Sequence, residues 1–364
     1  MKRISDIIAG AQGLLNISFE IQHCFEEALN DRQKTFLNML RCIEEHLRLP
    51  ERQYAGTGRK PYKYLPFVRS QLAKNYFQIP ATSMLIERLK ADPNLRLMCG
   101  FTKVPGQASF SRVYSYLAGI NVLQKTHDSL TKETFKGKVV YHVCRDSTAI
   151  SAREKTEKKA KKHVIRRKVR GRPRGTVGKR KKLPRETTLQ LNENPYSSLE
   201  RLNKKCSIGA KQNSQGNMSY WRGYKLHLDV SDWGYPITAC VTGANVQDCL
   251  VAIPMEKITE QKVTFCYSLM DRGYDTNAIH SFIEARERIP IIKPKKRSNG
   301  NCPVLDLAKE ERYKIRTVVE RANSHLKDSL IPKAIFAKGH SKVSFALFSA
   351  VLCLAALKYL QFLS

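Results

Sequence analysis

Apolar side chains recur at Leu72, Tyr76, Ile79, Leu85, Leu89 and Leu95, spaced three to six positions apart. That spacing predicts helices, and Pro80 and Pro93 cut the run into short ones. Residues 1–130 share this character, so the N-terminal third reads as mainly helical. Within it, ERQYAGTGRKPYKY reads as a basic loop and SFSRVYSYLAGI as a further helix. At Lys138 the period changes. KVVYHVCRD has the Val- and Tyr-rich composition of a strand and ends in a carboxylate, Asp146. Two more strand-like runs, YKLHLDVS (224–231) and PITACVTGA (236–244), are joined by the turn Asp232-Trp233-Gly234 and predict a hairpin. A helix follows from Asp248 through Ile258, then the strand TFCYSLMD (264–271), which ends in Asp271. DTNAIHSFIEARER predicts a helix starting at Asp275, and IPIIKP the next strand. This alternation is an α/β layout around a mixed sheet.

Composition narrows the partner. The chain has 364 residues, room for about two domains, and 64 Lys+Arg against 32 Asp+Glu give a net charge of +32. Such an excess favours a polyanion, nucleic acid before a membrane surface, because Lys and Arg neutralise phosphates and release counterions. A hydrophobic fraction of 42% excludes a wholly disordered chain. Ten cysteines without a CxxC pair offer neither a zinc ribbon nor a redox motif. With no signal-peptide pattern at the start, a reduced, intracellular protein is expected.

The charge is concentrated. Residues 151–185 hold 17 Lys/Arg against two Glu, net +15, and predict a basic, mobile insertion over 151–205. Inside it, Arg170-Gly171-Arg172-Pro173 matches an AT-hook core. Arg170, Arg172 and Arg174 are therefore candidate DNA contacts, in a narrow minor groove or simply on phosphates. The apolar run 343–363 approaches transmembrane length. Ser344, Ser349 and Lys358 interrupt it, and a helix buried against the sheet is expected, with no stable membrane association.

Candidate chemistry starts from Asp146 and Asp271, each at the carboxyl end of an apolar strand, where open α/β sheets bind ligands. A lone aspartate there equally starts a turn or caps a helix. The third element is the helical stretch ERYKIRTVVERANSHLKD (311–328). Ile315, Val318, Val319, Ala322 and Leu326 form its apolar stripe. At roughly 100° per residue, Tyr313, Arg316, Glu320 and Lys327 fall within about 60° of one another on the opposite face. Asp248 and Asp275 read more simply as helix N-caps.

Asp146, Asp271 and Glu320, with the spacing Y-x2-R-x3-E-x6-K around the glutamate, resemble the DDE transposases of bacterial insertion sequences. The resemblance covers roughly residues 135–360. Its most specific parts are YKLHLDVSDWGYPITACVTGANVQD, LMDRGYDT and the 313–327 helix. It implies a ribonuclease-H-like mixed sheet flanked by helices, preceded by a mainly helical region over 1–130 that binds DNA ends. Asp146, Asp271 and Glu320 would then be the catalytic residues, holding two Mg²⁺ ions, with Mn²⁺ as a substitute. Hard oxygen ligands suit that ion, and a two-metal site assists in-line displacement at phosphorus. By the same resemblance Tyr313, Arg316 and Lys327 hold transposon-end DNA. The implied activity is cleavage at the element's terminal inverted repeats and strand transfer into target DNA, by cut-and-paste, in a cytoplasmic, nucleoid-associated homodimer. The alternatives are a metal-dependent nuclease without strand transfer, and a non-catalytic DNA-binding descendant of a transposase.

Overall fold

The structure, a computed structural model, describes residues 29–363 except 53, 55, 57–60, 157–184, 213–214 and 296–303. The helical N-terminal region comprises α1 (Asp31–His46), α2 (Leu65–Tyr76), α3 (Thr82–Ala91), α4 (Pro93–Met98), α5 (Gln107–Gly119) and α6 (Val122–Thr134). Its boundaries have local causes. Asn30 and Gln33 form a reciprocal capping box at the start of α1. Pro93 takes the first position of α4, where its missing N–H costs nothing, and Asp92 caps that helix by accepting from Leu95 N at 2.8 Å. Leu72, Tyr76, Ile79, Leu85, Leu89 and Leu95 are all buried, as their spacing predicts.

The sheet is built from β1 (Val139–Ser151), β2 (Ser207–Gln212), β3 (Met218–Ser231), β4 (Pro236–Gly243), β5 (Thr264–Met270) and β6 (Ile289–Ile292). Its spatial order is β4-β3-β1-β5-β6, antiparallel from β4 to β1 and parallel from β1 to β6. This is the mixed, helix-flanked, ribonuclease-H-like sheet. β3 is long enough to carry two partners on one edge: β2 along Met218–Gly223 and β4 along Tyr224–Val230. The expected hairpin is β3 and β4. The sequence assigns no element to the residues of β2.

Between β1 and β2 the chain forms α7 (Glu186–Leu189) and α8 (Pro195–Arg201). Both pack on α9 (Cys249–Glu260), and Lys257 Nζ donates to the carbonyls of Gln190, Leu191 and Glu193. The end of the segment expected as an insertion over 151–205 is therefore folded. The AT-hook-like stretch with Arg170, Arg172 and Arg174 lies outside the described residues.

After β5 come a 3₁₀ turn (Arg272–Tyr274), α10 (Asn277–Glu284) and β6. Then α11 (Leu307–Tyr313), a second 3₁₀ turn (Lys314–Arg316), α12 (Thr317–His325) and a π-helical segment (Leu326–Leu330) run end to end. The stretch expected as one α-helix over 311–328 thus tightens and then widens. It buries nothing in α11, and it docks on the sheet through Val318, Val319, Ala322 and Leu326.

The last helix, α13 (His340–Leu363), is long and apolar enough by composition to cross a membrane. Here it packs against α1, α2, α5, α6 and β4. Leu347, Val351, Leu354 and Ala355 are fully buried, and Ser349 Oγ donates to the Gln71 carbonyl at 3.2 Å. One hydrophobic core consequently runs from α1 through α13 into the sheet.

Candidate active site

β1 and β5 are in parallel register with Arg145 opposite Met270. The next residues along, Asp146 and Asp271, therefore stand side by side, about 5 Å apart in the sheet direction. Asp146 does not end its strand, which differs from the sequence expectation. β1 continues to Ser151, because β3 supplies a partner as far as Gly223. What ends at Asp146 is the parallel neighbour, and the opening this leaves is the crevice at the carboxyl end of β5.

α12 crosses this opening. Arg316 Nη2 donates to Asp146 Oδ1 at 3.1 Å, and its Nη1 donates to Glu320 Oε1 at 2.5 Å. Asn323 Nδ2 donates to the other Asp146 oxygen at 3.1 Å. Asp271 caps the first 3₁₀ turn, its Oδ1 accepting from Gly273 N at 2.8 Å. Burial pushes the Asp146 carboxyl above the ordinary carboxylate range. Arg316 opposes that shift, and the Asp271 charge adds to it. Tyr313 is raised chiefly by burial and feels Asp271, Glu320 and Asp146 together. Lys327 is lowered by burial and by Lys211, against the pull of Asp146.

The structure thus gathers Asp146, Arg316 and Glu320 by direct hydrogen bonds. Asp271, Tyr313 and Lys327 stand within electrostatic reach of Asp146. Among the described residues, no three His, Cys, Asp or Glu side chains close into a metal-holding group. The Arg316 guanidinium instead bridges two of the acids and supplies the positive charge between them. The donor set still fits a hard divalent cation: it is all carboxylate oxygen, and Asp146 gains from any cation that offsets its burial.

Four residues of this region were not singled out by sequence. Asn323 reads as an ordinary helix residue, yet it fixes Asp146, and its Oδ1 is buried without a partner among the described residues. Tyr274 is buried beneath the site with its hydroxyl likewise unpartnered. Lys211, on β2, influences both Asp146 and Lys327. Arg145 points to the opposite face of β1, where its guanidinium holds Asp229 at 2.6 and 2.7 Å, Glu256 at 3.0 Å and the Ala252 carbonyl at 2.8 Å.

Two aspartates expected as N-caps behave otherwise. Asp248 occupies the cap position of α9 but accepts from Lys225 Nζ at 2.9 Å rather than from the helix. Asp275 gives way to Thr276 as the cap of α10, and itself accepts from Lys295 N at 2.7 Å.

Residues 139–355 match the family model of the transposase DDE domain, and residues 25–116 match that of a transposase domain (DUF772). No curated protein and no solved structure matches the chain at a significant level.

Proposed function

The chain belongs to the transposase DDE domain family and acts on DNA in transposition, and from that premise we propose that it cleaves the ends of its own element and joins them to target DNA. Asp146, Asp271 and Glu320 are the catalytic carboxylates of this reading. The observation that carries it is the β1–β5 register, which sets Asp146 beside Asp271 under the helix that bears Glu320. Proteins of this family generally use divalent metal ions, and the three carboxylates are the residues that would hold two Mg²⁺, or Mn²⁺ in their place. Bound there, such ions supply an activated nucleophile and neutralise charge at the leaving oxygen.

The protein's own groups do the rest. Asn323 and Arg316 hold the two oxygens of Asp146 in place. Arg316 is released from Glu320 to grip a phosphate, for which its fork geometry is suited. Tyr313 and Lys327 flank the same opening and bind the transposon end. Cut-and-paste movement requires two ends to be processed together, which supports a homodimer at work in the cytoplasm, on the nucleoid.

The test is DNA carrying the gene with its flanks, incubated with protein and Mg²⁺, with new 3′ ends mapped at nucleotide resolution. Discrete cuts at inverted repeats, lost in Asp146→Asn, Asp271→Asn and Glu320→Gln, are expected, as are joined products. Cleavage that survives any one substitution removes that residue from the site. Cuts without joined products make the protein a nuclease, and binding without cuts makes it a non-catalytic descendant.

A further inference from the structure

A cavity of about 750 Å³ opens further along β1 from Asp146, with Lys327 in its lining. One wall is the continuation of β1, Ala149–Ser151, starting about 10 Å along the strand from Asp146. A second wall runs from the π-helical segment into the stretch that follows it, and Gln78 and Pro80 of the helical region close one side. The walls are fixed to one another. Ile335 N donates to the Ser151 carbonyl at 2.9 Å, Arg153 N donates to the Ile335 carbonyl at 3.2 Å, and Gln78 Nε2 donates to the Asp328 carbonyl at 2.6 Å.

Three cations line it: Arg153, Lys327 and Lys333, against the single acid Asp328. None of the three is in an ion pair among the described residues. The Arg153 guanidinium lies over the Phe336 ring, 4.1 Å from its centroid, and Phe336 is 39% exposed. Unpaired cations along a groove, with a flat stacking surface among them, are what single-stranded nucleic acid binds: phosphates meet the charges and bases meet the π-faces. The volume suits a nucleotide or two rather than a duplex.

We infer that this cavity binds an unpaired stretch of the DNA on which the protein acts, with phosphates on Lys327 and Lys333 and a base stacked on the Arg153–Phe336 pair. The inference rests on the carboxylate site proposed above, since it makes the cavity the path of a strand that leaves Asp146. Lys327 is the margin that the cavity shares with the carboxylate site, and the cavity beyond it takes the strand freed or frayed at the cut.

The test is equilibrium binding of the full-length protein to two fluorescent probes: an oligothymidylate of about twelve nucleotides and a blunt duplex from the gene's flank. Phe336→Ala should weaken the single strand roughly 5- to 100-fold and leave its salt dependence unchanged. Phe336→Tyr should restore it. Lys333→Ala should lower the slope of log K against log salt by about 0.7, one phosphate contact. Duplex affinity should change less than about twofold in all three variants. Wild-type affinity for oligothymidylate in both Phe336→Ala and Lys333→Ala overturns the inference, and so does an equal loss on both probes. Cleavage is not read in this experiment, so the cavity and the carboxylate assignment fail separately.

Discussion

Removing Arg145 tests how the carboxylate platform is held. The side chain is 1% exposed, and its partners Asp229 and Glu256 are 0% and 1% exposed. It ties β1 to β3 through Asp229 and to α9 through Glu256 and the Ala252 carbonyl. Thr259 adds a bond to Asp229, and Ser268 and Arg288 add theirs to Glu256. Arg145→Ala takes away the only guanidinium on Asp229 among the described residues. It leaves Glu256 with Arg288 at 3.2 Å and Ser268 at 2.7 Å.

Breaking a buried ion pair from one side costs about 3–5 kcal/mol, because the remaining charge is stranded away from water. At about 2–4 °C per kcal/mol for a domain of this size, the melting temperature should fall by roughly 6–20 °C. The pH dependence has a defined sign. Burial raises the folded Glu256 carboxyl above its ordinary value of 4.5, and Arg145 is the largest influence pulling it down. Without Arg145 the rise is greater, so ionising Glu256 opposes folding more strongly. The stability deficit should therefore be smallest near the ordinary carboxylate range and grow as pH rises through the folded value.

Urea unfolding, followed by the fluorescence of Trp221 and Trp233 at about pH 5 and about pH 8, reads both quantities. A loss under about 1 kcal/mol, or a larger loss at the lower pH, refutes the reasoning, because either result means that water reaches these acids. The pair Arg145→Met with Asp229→Leu removes both charges and should recover most of the loss.

Gly223→Ala should cost roughly 2–5 kcal/mol, since φ is +154° there and a Cβ would meet the Ile150 carbonyl at 2.0 Å. A thermal melt that matches wild type would refute the β1–β3 register. His227 is fully buried and lowered to about 4, first by desolvation. Its contribution is intact above about pH 6.5 and is lost as pH falls toward 4, on the order of 3 kcal/mol. In His227→Gln the acid limb of a stability–pH curve should flatten, and an unchanged limb would assign that loss to other groups. Asn323→Ala should raise the Mg²⁺ concentration needed for half-maximal cleavage roughly 10- to 100-fold, the usual effect of freeing a ligand from its support. An unaltered Mg²⁺ titration would remove Asn323 from that role.

The sequence by itself determined what depends on neighbours along the chain. Alternation, helical spacing and turn residues marked the β3–β4 hairpin, the strands around Asp146 and Asp271, and the short helices cut by Pro80 and Pro93. The Y-R-E-K spacing marked the helix that carries Glu320. Boundaries blurred where a partner from elsewhere decided them. β1 outruns Asp146 because β3 pairs with it to Ser151. β2 exists because the first half of β3 offers it an edge.

What only the tertiary structure decided are meetings between distant residues that leave no periodic trace. Asn323 reaches Asp146 across 177 positions, and Arg145 reaches Asp229 across 84. A buried arginine next to a candidate aspartate looks, in one dimension, like any charged pair at a strand end. Strand alternation puts the two side chains on opposite faces of β1, and only packing shows what each face meets: Arg145 anchors the sheet to α9 while Asp146 opens toward α12. The apolar C-terminal run follows the same rule. Its composition fits a membrane span, and the helices and strand it packs against make it the core helix of this fold. Periodicity encodes which face of an element is apolar, whereas the identity of the surface that covers that face is a property of the whole chain.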